Sequence, residues 1–456
     1  MSFSFVDLFS GIGGFHAALS GMGGRCVHAI ENNTAAAQIY DLNWGHNPIG
    51  DITLQANDNV MTVPSHDLLA AGFPCQPFSK SGAQLGMEET RGTLYWNILQ
   101  IIEQRRPAMV LLENVRNLAG PRHLHEWQVI IETLATQGYR VSEIPTVLSP
   151  HRLHPDIGGR PQVRERVFIV AVRTTETDPT KLIEKTPFLE KSVFDDWDPL
   201  DWNLENHLPL DRKVKDPTLN LTTTETYWID AWNEFVEAML LLRNGRRLPG
   251  FPLWADDWIL PHNLRIPKGT PSWKQDFLQK NAHFYEEYQD FIDEWVEKWG
   301  IYTDVFPASR RKLEWQAQDT ASLWDTVMHF RPSGIRAKRP TYLPALVAIT
   351  QTSIIGPLRR RVSTREAARL QGLPDWFTFG DQKQSATYRQ LGNGVNVGVV
   401  WYVLRHAAIR YEKELKEASP KLFKALKSSP VNPDGVLESL YAWTTTAQGG
   451  NAPASS

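Results

Sequence analysis

Cysteine is scarce in this chain, because its 456 residues include only Cys26 and Cys75. Two cysteines so far apart provide neither the ligand spacing of a zinc site nor a disulfide framework, so we expect no metal and a reducing compartment. A run of about 18 uncharged apolar residues is absent, and the first residues carry neither a basic segment nor a cleavage signal. The sequence therefore predicts a cytoplasmic protein that neither crosses a membrane nor is exported.

A large excess of one charge is also absent, since the formal net charge is −3. The charges are nevertheless unevenly distributed. Nine lysines and arginines stand between positions 331 and 370 against the single acid Glu366, whereas acids dominate positions 286 to 297. A cationic band on an otherwise neutral protein suits contact with phosphates, although a solvated basic surface has the same composition.

Strand-like and helix-like runs alternate through the first 175 residues. The strand-like runs cover 5–9, 25–31, 67–72 and 108–112, and helix-like runs follow each of them. Two further strand-like runs, 139–147 and 166–172, complete the series. An alternation of this kind predicts an α/β fold with a doubly wound, mostly parallel, Rossmann-like sheet.

The amino-acid composition changes near residue 176, where aspartate, proline and tryptophan become frequent. Eleven of the 17 tryptophans lie between positions 197 and 324. One helix is predicted there from an apolar stripe at spacings of three and four, formed by Trp228, Trp232, Phe235, Met239 and Leu242. These aromatic residues fit the core of a small domain better than a base-stacking surface. The apolar segment 395–402 fits a buried strand or helix, and small polar residues over 449–456 predict a disordered end.

A glycine-rich turn follows the first strand and is a candidate ligand-binding site. It contains Phe9, Gly11, Ile12, Gly13 and Gly14, and Glu31 ends the second strand about 20 residues later. Glycines let the backbone approach a ligand, and an acid at this position accepts hydrogen bonds from ribose hydroxyls. Nucleotide and S-adenosylmethionine sites share this pattern, whereas the dinucleotide spacing G-x-G-x-x-G is absent. Asp51 either meets an adenine amino group or forms a simple turn.

The loop after the third strand places Cys75 at the carboxyl edge of the predicted sheet, where α/β enzymes bind their ligands. Pro74 fixes the backbone immediately before the thiol. A lone cysteine in such a loop is either a small buried hydrophobe or a nucleophile. The segment 76–91, rich in serine and glycine, is either a lid over the site or an ordinary loop.

Four motifs occur in a fixed order: G-F-P-C-Q at 72–76, E-N-V at 113–115, Q-V-R-E-R at 162–166 and G-N-G-V at 392–395. Together they closely resemble the DNA (cytosine-5)-methyltransferase family over about residues 5–175 and 360–405. The resemblance implies a catalytic and cofactor-binding domain over 1–175, an inserted target-recognition domain over 176–382, a return segment over 383–412 and a C-terminal extension over 413–456. Gly394 and Asn396 stand where alanine and proline are commoner in the family.

The resemblance implies transfer of a methyl group from S-adenosylmethionine to carbon 5 of a cytosine flipped out of double-stranded DNA. Cys75 matches the thiolate that adds to carbon 6, and Glu113 matches the glutamate that protonates ring nitrogen 3. Arg164 and Arg166 match residues at the base carbonyl and the active-site loop, although by pattern alone they equally fit an exposed strand face. No side chain in the motifs is an evident base for the carbon 5 proton, so we expect water to remove it.

The ligand contacts follow from the same resemblance. The cofactor contacts are Phe9, Gly11, Ile12, Gly13, Gly14, Glu31, Asp51, Ile52, Pro74, Leu94, Asn393 and Val395. The DNA contacts are Gln76, Ser79, Arg336 and Arg339, with Arg310 and Arg311 as further candidates for phosphate contact. We expect a monomer on DNA, associated with the nucleoid. The resemblance is also compatible with a cognate restriction endonuclease that acts separately.

Two rival interpretations share this fold. The first is an RNA cytosine-5 methyltransferase, which the long middle insertion disfavours, because the tRNA-methylating relatives resembling this family carry a much smaller recognition region. The second is a catalytically inactive DNA-binding regulator. Such a protein is expected to lose Cys75, Glu113 or the glycines of the turn, and this chain retains all of them.

Overall fold

The computed structural model describes residues 2–74, 90, 92–189, 197–212, 214–346 and 352–447, with side chains up to residue 440. The chain forms two compact units. Unit 1 comprises 1–209, 345–348 and 364–456, and unit 2 comprises 210–344 and 349–363. The four motifs all belong to unit 1. That the segment 176–382 recognises the target stays a prediction.

An eight-stranded sheet is the framework of unit 1. Its strands are β1 (Ser4–Leu8), β2 (Arg25–Ile30), β3 (Leu68–Gly72), β4 (Met109–Val115), β5 (Tyr139–Ser142), β6 (Thr146–Leu148), β7 (Arg166–Arg173) and β8 (Ile183–Glu184). The strand order is β2-β1-β3-β4-β7-β5-β8, and β6 also pairs with β7. Strands β1 to β4 pair in parallel, whereas β7 is antiparallel to β4, β5 and β6. The predicted α/β class is confirmed, with an antiparallel region at one side of the sheet.

Helices connect the parallel strands of unit 1. The helices of this part of the chain are α1 (Gly14–Gly21), α2 (Thr34–Trp44), α3 (Ile52–Gln55), α4 (Leu94–Arg105), α5 (Leu124–Thr136) and α6 (Leu204–His207). Side chains cap two of the longer ones, since Asn33 accepts from the N–H of Ala36 at the start of α2, and Thr93 accepts from the N–H of Trp96 at the start of α4. A cap of this kind satisfies a backbone donor that the first turn leaves unpaired.

The parallel strands bring three functional segments to one edge of the sheet. Residues 5–8 of β1 are completely buried, as expected for a strand covered on both faces. Because β1, β3 and β4 pair in parallel, their carboxyl ends lie at the same edge. The glycine turn after β1, the segment after β3 and the end of β4 therefore meet there.

The strand-like run predicted over 139–147 is divided in the structure. Strands β5 and β6 pair with successive parts of β7, and residues 143–145 interrupt them. Pro145 lies in the interruption, and proline lacks the N–H that a continuous ladder requires.

Unit 2 combines a six-stranded sheet with three long helices. The strands are β9 (Leu253–Trp254), β10 (Lys312–Gln316), β11 (Val327–Arg331), β12 (Gly334–Lys338), β13 (Ile354–Ile355) and β14 (Arg360–Arg361), and the helices are α7 (Thr223–Leu242), α8 (Ser272–Glu287) and α9 (Gln289–Trp299). The helix predicted from the Trp228 stripe is confirmed as α7. Trp232, Trp295 and Trp315 lie in the hydrophobic core, so these aromatic residues pack inside the unit.

The chain returns to unit 1 as a series of helices. These are α10 (Thr364–Leu370), α11 (Gln384–Asn393), α12 (Val397–Arg410), α13 (Glu412–Ala418), α14 (Pro420–Ser428) and α15 (Asp434–Ala447). The apolar segment 395–402, predicted as a strand or a helix, is helical from Val397 and forms the first part of α12. Asn396 caps this helix by accepting from the N–H of Val399. Helix α12 packs against α1. The predicted disorder over 449–456 lies outside the described residues.

We predict that Trp295→Ala lowers the free energy of unfolding by about 3–5 kcal/mol, because it leaves a cavity among Trp232 and Phe235. Trp295 is 1% exposed and donates to the carbonyl oxygen of Ala231. The control is Trp273→Ala, at a side chain that is 58% exposed, and it should change stability by less than about 0.5 kcal/mol. Urea unfolding followed by circular dichroism measures both. Equal effects would contradict the placement of these two side chains.

Candidate active site

Three residues of the glycine turn after β1 adopt the left-handed backbone conformation, which favours glycine. Phe9, Gly11 and Gly13 all have positive φ angles, of 56°, 56° and 93°. A Cβ atom on Gly13 would lie 2.1 Å from Nε1 of Trp44, which donates a hydrogen bond to the carbonyl oxygen of Ile12. The indole of Trp44 therefore fills the space on one side of the turn.

The next glycine of the turn faces the return segment. A Cβ atom on Gly14 would lie 2.8 Å from both Cγ1 and the carbonyl oxygen of Val395. The position therefore requires glycine, because backbone cannot move aside as a flexible side chain can. The cofactor turn and the fourth motif, predicted to share one site, are in direct contact.

Glu31 stabilises the turn from the end of β2. Its Oε2 atom accepts a hydrogen bond from the N–H of Gly11 at 2.8 Å, and its Oε1 atom accepts one from the N–H of Asn33 at 2.7 Å. The carboxylate is half-buried. Each oxygen has a second lone pair, so this group can accept further hydrogen bonds from a ligand.

Glu113 lies on β4 and forms an ion pair with Arg166, the first residue of β7. The Arg166 Nε atom is 3.0 Å from Oε1 of Glu113, and Glu113 is 8% exposed. Burial raises the pKa of the Glu113 carboxyl above its ordinary value, while the positive charges of Arg166 and Arg164 act in the opposite direction. A carboxyl group in this environment can hold a proton and donate it.

Asn114 connects the end of β4 to the segment that leads to Cys75. Its Nδ2 atom donates to the carbonyl oxygen of Phe73 at 2.8 Å, and its Oδ1 atom accepts from the N–H of Val115. Phe73 stands two residues before Cys75 in the sequence. Cys75 itself, and with it Gln76, Ser79 and most of the predicted lid, lies outside the described residues.

Arg164 contacts the return segment. It is 1% exposed, and its Nη1 atom donates to the carbonyl oxygen of Gly392 at 2.9 Å, while its Nη2 atom donates to that of Gly394. Arg164 precedes β7, and its backbone N–H donates to Oγ of Ser149. The two predicted arginines thus differ in their contacts. Arg166 pairs with Glu113, whereas Arg164 binds the backbone of the fourth motif.

A cavity of about 560 Å³ joins these elements within unit 1. Eleven of the predicted residues line it: Phe9, Gly11, Ile12, Gly14, Glu31, Pro74, Leu94, Glu113, Arg166, Asn393 and Val395. Gly13, Asp51, Ile52 and Arg164 are not among its described lining residues. A volume of this size accommodates a ligand as large as a nucleoside together with a second group.

Two of the predicted cofactor contacts have other partners in the structure. Asp51 is exposed, and its Oδ1 atom accepts from both the N–H and the hydroxyl of Thr53, which caps α3. Ile52 is buried in the hydrophobic core. Contact of either residue with an adenine ring stays a prediction.

Sequence reasoning missed three residues on the face of α11 that lines the cavity. Ala386, Arg389 and Gln390 contribute to the wall together with the predicted Asn393, and the last three lie three, four and seven positions after Ala386. This is the spacing of one face of a helix, so the residues preceding the fourth motif carried a usable signal.

The chain's other thiol has a different environment. Cys26 donates from Sγ to the carbonyl oxygen of His28, and burial raises its pKa to about 12, with the charge of Asp7 acting in the same direction. A thiol with so high a pKa remains protonated near neutral pH and is a poor nucleophile.

The described residues contain no group of three or more histidine, cysteine, aspartate or glutamate side chains that could hold a metal ion. None of their helices combines the length and the apolar composition that crossing a membrane requires.

We predict that Gly13→Ala lowers the free energy of unfolding more than Gly23→Ala does. Both glycines have positive φ angles, but a Cβ atom on Gly23 would have no atom of the described residues within 4 Å. Gly23→Ala should cost about 1–2 kcal/mol from backbone strain alone. Gly13→Ala should cost about 1–3 kcal/mol more, because Trp44 must move. Urea unfolding of both variants measures the difference, and equal losses would show that Trp44 does not restrict the turn.

Comparison with known proteins agrees with this geometry. The family model described as C-5 cytosine-specific DNA methylase matches residues 3–408. The Type II methyltransferase M.AluI of Cellulosimicrobium cellulans is 48% identical over 491 aligned residues, which cover 92% of this chain and 94% of that protein. M.HhaI of Haemophilus parahaemolyticus is 40% identical over 37% of this chain and 49% of its own length.

A solved structure, the Dnmt2 methyltransferase of S. pombe, aligns with 90% of this chain and 99% of its own at 17% identity, with a TM-score of 0.41. The assignment does not depend on that alignment. It depends on the family match, which spans most of the chain, and on the high identity to M.AluI over nearly the full length. The chain belongs to the C-5 cytosine-specific DNA methylases and is a DNA (cytosine-5)-methyltransferase.

Proposed function

We propose that unit 1 methylates carbon 5 of a cytosine within a specific DNA sequence, by flipping the base into the cavity and adding Cys75 to it. The observation that carries this proposal is the Glu113–Arg166 pair, which lines the same cavity as the glycine turn held by Glu31. One wall suits an adenosine-containing cofactor, and the other suits a base with a carbonyl group and a ring nitrogen. The cavity is thus suited to two reactants side by side.

S-adenosylmethionine is the proposed cofactor, and the cavity fits it. Gly11 borders open space, since a Cβ atom there would have no atom of the described residues within 4 Å. The free lone pairs of Glu31 can accept from ribose hydroxyls, and Asn393 and Val395 line the same cavity. When bound, the cofactor supplies a methyl group on a positively charged sulfur.

Cys75 and Glu113 make carbon 5 reactive. The thiolate of Cys75 forms a bond to carbon 6, and the electron pair displaced from the double bond gives carbon 5 the character of a nucleophile. Negative charge then develops on the ring, and Glu113 offsets it by donating a proton to ring nitrogen 3. Arg166 is suited to hold the base carbonyl, and Asn114 to fix the segment that presents Cys75.

The adduct decomposes once carbon 5 carries the methyl group. A base removes the proton from carbon 5, the ring double bond re-forms and the bond from sulfur to carbon 6 breaks, which restores the thiolate. Ring nitrogen 3 returns its proton to Glu113, so both groups regain their starting states. We propose water as that base. Extrusion of the cytosine from the duplex costs a few kcal/mol, which contacts in the cavity must offset.

The remaining elements of the proposal concern partners. Double-stranded DNA is the proposed substrate, and unit 2 is the proposed target-recognition domain. We propose that the enzyme acts as a monomer on DNA of the nucleoid, in the cytoplasm. Relatives are named Type II methyltransferases, which supports a cognate restriction endonuclease as a separate partner.

Expression in a host that lacks cytosine methylation tests the proposed function. Sequencing of host DNA at base resolution should show 5-methylcytosine at one recurrent sequence. Cys75→Ser should abolish it, because a hydroxyl is a far weaker nucleophile than a thiolate. Cys26→Ser is the matched control and should retain methylation, since that half-buried thiol has a raised pKa and stays protonated. Unmethylated DNA in the presence of folded, cofactor-binding enzyme would exclude the proposal.

The pH dependence of methylation tests the role of Glu113. Because the protonated carboxyl is the donor, kcat should fall as pH rises through the raised pKa of Glu113. Glu113→Gln should lower kcat by about 10²–10⁴-fold and lack this alkaline decrease, because an amide does not titrate. Glu143→Gln, at an acid paired with Lys185, should leave both the rate and the profile unchanged. An alkaline decrease that persists in Glu113→Gln would assign it to another group.

A further inference from the structure

The sheet of unit 2 has one apolar face and one charged face. Leu313, Trp315 and Ile335 are buried on the first face. On the central strands β10, β11 and β12, the alternate positions carry the charged side chains of the second face: Glu314, Arg331, Arg336 and Lys338, together with His329. We call these five residues the charged face. It holds one acid against three permanent cations, so it suits a negatively charged partner.

Most of the arginines predicted to contact DNA use their donors inside unit 2. Arg310 is 9% exposed, and its Nη1 atom donates to the carbonyl oxygen of Arg331. Arg311 donates to Asp256, Phe306 and Thr303. Arg339 donates from Nη2 to Asp319. Contact of these three residues with DNA stays a prediction, and their present bonds disfavour it.

Arg336 differs from these arginines. Its Nε atom donates to Oε2 of Glu314 at 2.6 Å, and its side chain is 34% exposed. Its two terminal nitrogens have no hydrogen-bond partner among the residues that the structure describes. Glu314 therefore fixes the plane of the guanidinium group and leaves a pair of parallel donors at its end.

The surroundings of Arg336 leave its positive charge undercompensated. His329 stands directly opposite it on β11 and bonds through Nε2 to Oγ of Ser353 at 2.6 Å. Burial lowers the pKa of His329 to about 4, and the charges of Arg331, Arg336 and Lys338 act in the same direction. The histidine is therefore neutral, and Glu314 is shared, because Arg331 lies 3.8 Å from the same oxygen.

We propose that Arg336 reads a guanine of the target sequence by donating from both terminal nitrogens to O6 and N7 in the major groove, with Glu314 as its positioning residue. A planar pair of donors matches these two acceptors, and this is the commonest specific contact of arginine with DNA. A phosphate contact requires charge but no fixed plane, and the neighbouring cations could supply it. The inference rests on the proposed function, since it concerns the sequence that is methylated.

Arg336→Lys distinguishes base reading from phosphate contact. It keeps the positive charge and removes the two coplanar nitrogen donors of the guanidinium group. On the wild-type target we expect kcat/KM to fall about 10- to 100-fold, with the methylated sequence relaxed at one guanine. Methylation mapping in the host without cytosine methylation shows the relaxation. Arg265→Lys, at an exposed arginine that contacts its own loop, should change neither quantity. An unchanged sequence in Arg336→Lys, whatever its rate, would overturn the proposal.

Synthetic duplexes identify the atom that is read. Each guanine of the target is replaced in turn by 7-deazaguanine, which lacks the N7 acceptor. The wild type should lose about tenfold or more in rate at one position, and Arg336→Lys should show no additional loss there. Equal losses in both proteins at every position would overturn the assignment to Arg336. A wild type that methylates nothing would instead refute the proposed function, so the two failures are distinguishable.

Discussion

The bonds from Arg164 to the carbonyl oxygens of Gly392 and Gly394 are the interaction on which the rest of the site depends. They join residues that are 228 and 230 positions apart in the sequence. A buried guanidinium group must be hydrogen-bonded, because an unpaired charge in the interior is very costly. The return segment is thereby fixed against the first part of unit 1, and Val395 comes into contact with Gly14. The glycine turn and the return segment are consequently held by one constraint.

The local parts of this arrangement could be predicted from the residue pattern, whereas the return of the fourth motif to the site could be predicted only from the family resemblance. The turn with Gly11 and Glu31 follows from a strand, a glycine pattern and the spacing to an acid, all within about 30 residues. The partners of Arg164 depend on where a segment beyond unit 2 returns, and no local pattern contains that information. The sequence context of Asp51 permits both a ligand contact and the helix cap seen here, so the pattern alone does not choose between these two roles.

Each unit contains a pair of a carboxylate and a guanidinium group, and the two pairs differ in their surroundings. In the cavity, Glu113 is close to two arginines, so its proton affinity is set by the competition between burial and those charges. On the charged face of unit 2, the single acid Glu314 orients Arg336. In both places a carboxylate and a guanidinium group form a pair. The proposed role of the first pair, proton transfer, depends on burial of the carboxyl, and the proposed role of the second, base recognition, depends on exposure of the guanidinium.

We propose that Cys75, rather than the half-buried Cys26, bonds to the cytosine ring. This proposal is tested most directly with a duplex that carries 5-fluorocytosine at the methylated position, because fluorine cannot leave as a proton does and the adduct accumulates. With S-adenosylmethionine present, the wild type and Cys26→Ser should form a covalent protein–DNA complex detectable by mass, and Cys75→Ser should form none. A covalent complex in Cys75→Ser would contradict the account.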